Sequence, residues 1–178
     1  SYKGPALDVT IQGDGAAFEG SGNEARVAVY VNGERTIDEA VNSAEKVLNV
    51  ITEDTGDSEV TVSIVKLSET AMSTIGISPL DLSNGGEVKP TAAKERKIEF
   101  IGDSITCGYG VDDEDKDHHF STLTEDVTKA YAYKTAQALD ADYSMVSISG
   151  YGIISGYTSD PSKKVSEQTI PQYYTKLG

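Results

Sequence analysis

The chain has 178 residues, enough for one ordinary domain or two small ones, and 38% of them are hydrophobic, which predicts a folded core rather than disorder. Its net charge of -14 disfavours nucleic acid and anionic membranes as partners, and either suits neutral ligands such as sugars or serves only solubility. Cys107 is the single cysteine, so an internal disulfide is excluded. The sequence contains no run of 18 or more apolar residues, so it predicts no membrane span.

Short candidate strands separated by turn residues characterise the chain before residue 90. In chain order they lie at residues 7–12, 25–31, 47–51 and 59–66, and most of them alternate apolar and polar side chains. Asn32-Gly33 is a strong hairpin signal, and Asn84-Gly85-Gly86 predicts a second turn. The one candidate helix covers residues 37–47, although its apolar spacing is poor. Many short strands with frequent turns predict a β-sandwich (jelly-roll) domain over residues 1–90.

The pattern changes after residue 90, and residues 90–96 are the predicted linker between two domains. The following elements are a strand entering a buried sheet, an acidic loop, a helix, a second strand and the start of a second helix, at residues 97–101, 112–117, 128–139, 143–149 and 167–177. This order predicts the first part of an α/β unit with a parallel sheet over residues 91–178.

Ser104 follows the first of these strands within the sequence IGDSIT, residues 101–106. Active sites of open α/β sheets gather outside the carboxyl ends of the strands, and amides at a helix start favour developing negative charge. Gly150 lies at the end of the second strand. If the two strands are neighbours, the backbone N–H groups of Ser104 and Gly150 converge on one oxyanion. By itself, Gly-Asp-Ser is equally compatible with an ordinary turn.

The stretch at residues 97–110, KIEFIGDSITCGYG, resembles the first conserved block of the SGNH hydrolases and is most similar to carbohydrate esterase family two, the acetyl xylan esterases. Residues 124–131 resemble the segment after the nucleophile in that family, and residues 139–143 resemble the approach to its second strand. Residues 147–152 resemble the block that carries its oxyanion glycine. The resemblance is strong over residues 97–157 and weak before residue 60, although an N-terminal jelly roll fits the family.

The resemblance implies a secreted or cell-surface enzyme that removes O-acetyl groups from plant polysaccharide or oligosaccharide through an acetyl-enzyme intermediate, without metal or cofactor. Ser104 is then the nucleophile, and its N–H and that of Gly150 form part of the oxyanion hole. Asp103 shapes the turn, and Cys107 is a small buried residue rather than a second nucleophile. The candidate substrate contacts, which alternatively only pack within their loops, are Tyr109, Tyr151, Gly152 and Tyr157.

A catalytic serine needs a base, usually a histidine, and the chain contains only His118 and His119. In SGNH enzymes the base and an oxyanion asparagine come from later blocks, and neither block is present. We therefore expect a fragment, truncated at the start of the sandwich as well, whose hydrolase domain is completed by a further polypeptide. Two strands and two helices cannot bury both faces of a parallel sheet.

Several alternatives remain open at the level of sequence. In the first alternative, one of the two histidines serves as the base. In the second, both histidines bind a metal together with the neighbouring aspartates, although the loop lacks the residue spacing of a calcium site. A third alternative is that the enzyme is an SGNH lipase or thioesterase. The scarcity of apolar residues after Ser104 disfavours long acyl chains as its substrates. The last alternative is that the chain is a catalytically inactive carbohydrate-binding module, and the missing catalytic histidine favours this interpretation.

Overall fold

The computed structural model describes residues 1–18 and 20–176, and it is a mixed α/β structure with several small sheets and short helices. The strands are β1 (Tyr2–Lys3), β2 (Leu7–Gly13), β3 (Ala25–Val31), β4 (Glu34–Val41), β5 (Glu45–Ile51), β6 (Val62–Lys66), β7 (Ile75–Ile77), β8 (Glu87–Val88), β9 (Arg96–Gly102) and β10 (Ala141–Ser147). The helices are α1 (Ser104–Cys107), α2 (Tyr131–Ala138) and α3 (Ile170–Tyr174), with 3₁₀ helices at Thr122–Thr124 and Val127–Lys129. Within the described ranges, no helix is long and apolar enough to cross a membrane.

Two three-stranded antiparallel sheets occupy the first half of the chain. Their strand orders are β5-β2-β7 and β4-β3-β6, and β1 pairs separately with β8. In β2 the side chains alternate, so that Leu7, Val9 and Ile11 are buried. Buried residues from both sheets belong to one cluster, formed by Tyr2, Leu7, Val9, Ile11, Ala25, Val27, Val29, Val41, Leu48, Val50 and Ile51. The main hydrophobic core therefore lies between these sheets.

The hairpin predicted at Asn32-Gly33 joins β3 to β4. Both residues have a positive φ, 51° and 84°, as a type I′ turn requires. This hairpin also explains why the helix predicted over residues 37–47 is wrong. It places the segment beside β3, where Ile37 pairs with Val29 and Val41 pairs with Ala25. The remainder of the segment is a turn and the start of β5, so ladder hydrogen bonds outweigh its weak helical tendency.

β9 and β10 form a parallel pair, in register from Arg96 opposite Ala141 to Gly102 opposite Ser147. The predicted helix at 128–139 corresponds to a 3₁₀ helix followed by α2, and α2 packs against β10. The second predicted helix is reduced to α3, and Leu177 lies outside the described residues. Strand, helix and parallel strand thus follow one another as the sequence predicted.

The parallel sheet is exposed, which corrects the expectation that β9 enters a buried sheet. No residue of β9 is buried, and Ile101 is 48% exposed. In β10 only Ala141 and Val146 are buried. The physical reason is that parallel sheets are normally covered on both faces, whereas in the described chain the short helix α2 packs mainly against β10 and touches β9 through the edge contact of Tyr131 with Phe100.

Charged side chains connect the antiparallel sheets to the loop that follows α1. Arg26 on β3 forms an ion pair with Asp112 at 2.7 Å. Arg35 on β4 forms hydrogen bonds with both carboxylate oxygens of Asp126, at 2.9 and 3.3 Å. The Asp126 side chain is completely buried, and Asp38 bridges the two arginines at 2.8 and 2.9 Å. The loop is therefore fixed to β3 and β4 through a continuous network.

Candidate active site

Ser104 is the first residue of α1, directly beyond the carboxyl end of β9. Asp103 caps the helix, because its carboxylate accepts a hydrogen bond from the Ile105 N–H at 3.1 Å. Gly108 ends the helix after one turn, in a left-handed conformation with φ +80°. The tight strand-to-helix turn therefore presents Ser104 at the edge of the sheet, and the Ser104 side chain remains partly exposed.

Gly150 lies beyond the carboxyl end of β10, and since β10 is the parallel neighbour of β9, both following loops leave from the same edge of the sheet. Its φ is +80°, a conformation that favours glycine. A Cβ at this position would meet only the Tyr157 Cβ, at 4.0 Å, so the space beside the backbone is open. Within the described residues, neither the Ser104 N–H nor the Gly150 N–H donates a backbone hydrogen bond. Both are available as donors to a ligand oxygen.

An open cleft of about 700 Å³ brings these residues together. Its walls are formed by Met72, Asp103, Ser104, Tyr109, Ser149, Gly150, Tyr151, Ser155, Gly156 and Tyr157. Most of the site residues predicted from the sequence are therefore neighbours, but Gly152 does not line the cleft. Gly152 forms a parallel bridge with Thr169, and its carbonyl accepts a hydrogen bond from the Ile170 N–H at 2.9 Å. Met72, which sequence reasoning missed, comes from the first half of the chain.

Three tyrosines border the cleft, and they differ in how far their rings are already packed. Tyr109 stacks on Phe120 with 3.7 Å between ring centroids, and Tyr151 makes an edge contact with Tyr173 at 5.7 Å. Tyr157 is 76% exposed, and its backbone N–H donates to the Gly150 carbonyl at 2.6 Å. The Tyr157 ring is thus the aromatic surface most open to a ligand.

Neither histidine lines the cleft. The Nδ1 of His118 lies 2.8 Å from the Asp113 carboxylate, its side chain is 63% exposed, and His119 is exposed as well. Two other carboxylates of the acidic loop have partners within the chain: Asp112 contacts Arg26 and Lys129, and Asp115 accepts a hydrogen bond from the Asp117 N–H at 2.9 Å.

Two buried glutamates lie behind Gly150, and sequence reasoning did not assign either of them to the site. Glu69 Oε2 accepts a hydrogen bond from the Ser149 N–H at 2.8 Å, and Glu125 Oε2 accepts one from the Glu69 N–H at 2.9 Å. Burial raises the pKa of Glu125 to about 7, and the neighbouring Glu69 carboxylate acts in the same direction. No local pattern distinguishes these residues from the rest of the 29 acidic side chains.

The same glutamates and Cys107 are the candidate metal ligands of the described chain. One carboxylate oxygen of each glutamate and the Cys107 Sγ lie within 4.8 Å of one another. The Cys107 thiol donates a hydrogen bond to Ser147 Oγ at 3.3 Å, and burial raises its pKa to about 12. Because metals bind the thiolate, a thiol that stays protonated is a poor ligand.

Comparison with known proteins finds esterases among those similar to the chain, although no protein-family profile matches it. It is 33% identical over 109 residues to the cellulase/esterase CelE of Acetivibrio thermocellus. It is 38% identical over 109 residues to an acetylxylan esterase / glucomannan deacetylase of Cellvibrio japonicus. These alignments cover 60% and 58% of this chain, but only 13% and 30% of the relatives.

Solved structures give the same result over more of the chain. A family two carbohydrate esterase from Clostridium thermocellum, in complex with cellohexaose, aligns with a TM-score of 0.75 and 27% identity over 92% of this chain and 48% of that one. The acetyl xylan esterase Est2A of Butyrivibrio proteoclasticus, at 24% identity, shares the fold with a TM-score of 0.80 over 96% of this chain and 44% of that one. The neighbours point to carbohydrate esterase family two.

The family-two resemblance predicted from residues 97–157 is thereby confirmed. The chain spans less than a third of these curated relatives and about half of the solved structures. What those whole proteins do is therefore carried over to this chain only as a proposal.

Proposed function

We propose that the protein is a carbohydrate O-deacetylase of the acetyl xylan esterase type, which hydrolyses acetyl esters on plant polysaccharide. The observation that carries this proposal is the cleft in which Ser104 and Gly150 lie at the ends of adjacent parallel strands, with both backbone N–H groups free. The names of the relatives, acetylxylan esterase / glucomannan deacetylase among them, supply the substrate class.

In this mechanism Ser104 Oγ attacks the acetyl carbonyl carbon while a base takes its proton. The carbonyl oxygen becomes an oxyanion that accepts hydrogen bonds from the N–H groups of Ser104 and Gly150. The bond between the acetyl carbon and the sugar oxygen then breaks, and the sugar leaves as a hydroxyl that carries the proton held by the base. Water hydrolyses the acetyl-enzyme, which releases acetate and restores Ser104. Asp103 acts through the backbone, because its cap fixes the turn that holds Ser104.

The base is expected from polypeptide that covers the exposed parallel sheet. This expectation rests on two observations: no histidine lines the cleft, and β9 has no buried residue. Such polypeptide would complete an SGNH-type α/β/α domain that begins near residue 91, after a jelly-roll domain over residues 1–90. The two antiparallel sheets around one core support the second assignment.

The proposed ligand is a neutral sugar chain outside the cell or at its surface. The open ring of Tyr157 offers a face on which a sugar ring can stack, while Tyr109 and Tyr151 border the same cleft. A net charge of -14 disfavours anionic ligands. The related structure with bound cellohexaose supports an oligosaccharide as the ligand class.

A second candidate is a carbohydrate-binding module without esterase activity, and the absence of a histidine from the cleft walls favours it. This candidate predicts that the protein binds cello-oligosaccharides and releases no acetate from acetylated xylan. The two candidates differ in their dependence on Ser104, which the esterase requires and the binding module does not.

Ser104→Ala tests the esterase, with release of p-nitrophenol from its acetate ester and of acetate from acetylated xylan as the readouts. We expect a loss of about 10³-fold or more, because the nucleophile is removed. Ser63→Ala, which alters an exposed serine of β6 outside the cleft, is the matched control and should retain activity within about 3-fold. Equal rates for the wild type and Ser104→Ala would contradict the assignment of the nucleophile.

A further inference from the structure

Glu69 contacts the loop that carries Gly150, although it comes from the other half of the chain. It lies three residues after β6, and its Oε2 accepts a hydrogen bond from the Ser149 N–H at 2.8 Å. Tyr157 holds the other side of the same loop, since its N–H donates to the Gly150 carbonyl at 2.6 Å. The peptide that bears the Gly150 N–H is therefore fixed from both flanks.

Glu125 in turn holds Glu69. Its Oε2 accepts the Glu69 N–H at 2.9 Å, and the two side chains are almost completely buried, with residue exposures of 0% and 7%. Within the described residues, the Oε1 atom of each glutamate is buried without a hydrogen-bond partner. The contact that joins the two residues is thus the buried bond from the Glu69 N–H, which holds the Glu69 backbone in place.

The titratable groups near the pair include Lys66, Cys107 and Tyr109. Lys66 Nζ donates to the backbone carbonyls of Ser68 and Glu69, at 2.6 and 3.0 Å, rather than to either carboxylate of the described pair. Cys107 donates its thiol proton to Ser147 Oγ.

We propose that Glu69, whose backbone N–H is held by Glu125, is a positioning residue that fixes the Gly150 N–H in the oxyanion hole. This inference rests on the proposed esterase function. It gives the antiparallel half of the chain a direct part in the reaction, because the residue that sets the oxyanion loop is supplied from the segment after β6.

The first test is amide hydrogen exchange in the wild-type protein, followed by NMR. The Ser149 N–H, bonded to Glu69, should exchange at least about 10-fold more slowly than the free Gly150 N–H. Glu69→Ala should remove this protection. Glu69→Gln should retain it, because the amide oxygen still accepts the Ser149 N–H and the amide nitrogen can donate to Glu125.

The second test separates positioning from substrate binding. Glu69→Ala should lower kcat on an acetyl ester by about 10- to 100-fold with KM changed by less than about 3-fold, since an oxyanion donor acts in the transition state. Glu69→Gln should recover kcat to within about 5-fold of the wild type. Glu59→Ala, which removes a surface glutamate paired with Lys89, is the control and should change neither constant.

Two results would overturn the positioning role: a Ser149 amide that exchanges as fast as the Gly150 amide, or a kcat that Glu69→Ala leaves unchanged. If Glu69→Ala does not fold, the wild-type exchange rates and the Glu69→Gln kinetics still decide. If the protein together with the polypeptide that supplies the base lacks esterase activity, the proposed function fails, whereas the exchange rates still show whether Glu69 holds the loop.

Discussion

Gly108 shows how closely one residue position controls the candidate site. It ends α1 with φ +80°, and a Cβ placed on it would lie 2.4 Å from the Asp126 carbonyl oxygen. The Gly108 carbonyl also accepts the Asp126 N–H at 3.3 Å. The turn after Ser104 therefore packs directly on the segment that contains Asp126, and a side chain cannot enter without moving backbone.

Gly108→Ala should consequently destabilise the protein more than the strain of a left-handed residue alone. Gly33→Ala is the matched control, since Gly33 has φ +84° but nothing within 4 Å of its would-be Cβ. We expect a loss of about 1 kcal/mol for Gly33→Ala and about 3 kcal/mol or more for Gly108→Ala, measured by urea unfolding. Equal losses would show that the backbone around Asp126 yields easily.

Glu125 makes stability depend on pH. Its pKa is about 7 in the folded protein, where burial is the main cause, against 4.5 for an ordinary glutamate. Between these values the folded state holds a proton that the unfolded chain has released. The free energy of unfolding should therefore fall as pH rises from 4.5 to 7, by about 3 kcal/mol in total.

Urea unfolding of the wild type and Glu125→Gln across this pH range measures the effect as a difference between the two proteins. The glutamine resembles the protonated acid but does not titrate, so the difference should grow with pH. Carboxylates with a lowered pKa, such as Asp38 and Asp112, contribute equally to both proteins. Burial lowers the pKa of Lys66 to about 8, which acts above this range with the opposite sign. A difference independent of pH would contradict the prediction.

At the scale of elements, the contact between the β3–β4 hairpin and the 3₁₀ segment depends on Asp126. The Asp126 carboxylate is completely buried; Arg35 bonds it at 2.9 Å, and Lys129 lies 3.8 Å away. Thr128 adds hydrogen bonds to Asp126 from both its N–H and its hydroxyl, at 2.9 and 2.5 Å. A buried carboxylate is tolerated only while such partners remain.

Arg35→Leu should therefore cost about 3 kcal/mol of unfolding free energy, because it leaves the buried Asp126 charge without its main partner. The double variant Arg35→Leu/Asp126→Asn should recover part of this loss, since the charge is then absent. Lys3→Ala, which removes an ion pair to the exposed Asp57, is the control and should cost less than about 0.5 kcal/mol. A loss for Arg35→Leu as small as that of the control would contradict the role of this network.

At the scale of the whole molecule, buried acidic groups connect the two halves of the chain. Asp126 binds an arginine of β4, while Glu69 reaches from the antiparallel half to the Ser149 N–H. An acidic composition with a net charge of -14 therefore serves more than solubility. Part of it forms the contacts that hold the turn after Ser104 and the loop that carries Gly150 against the antiparallel sheets.

The sequence by itself determined the features that depend on a few adjacent residues. The alternation at 7–12 set the buried face of β2, Asn32-Gly33 set the hairpin, and the block at 97–110 identified the strand, the turn and the serine. These features are local because backbone φ, side-chain alternation and helix capping are decided within a few residues.

Only the tertiary structure decided the segment at 37–47 and the buried glutamates. Residues 37–41 of that segment form a strand because β3 lies beside them. Glu69 and Glu125, which are 56 residues apart in the chain, meet only in the folded protein. An acidic residue carries the same side chain whether it is solvated or buried, so the sequence cannot mark it in advance. Its burial, protonation and hydrogen bonds depend on neighbours that only the folded chain brings together.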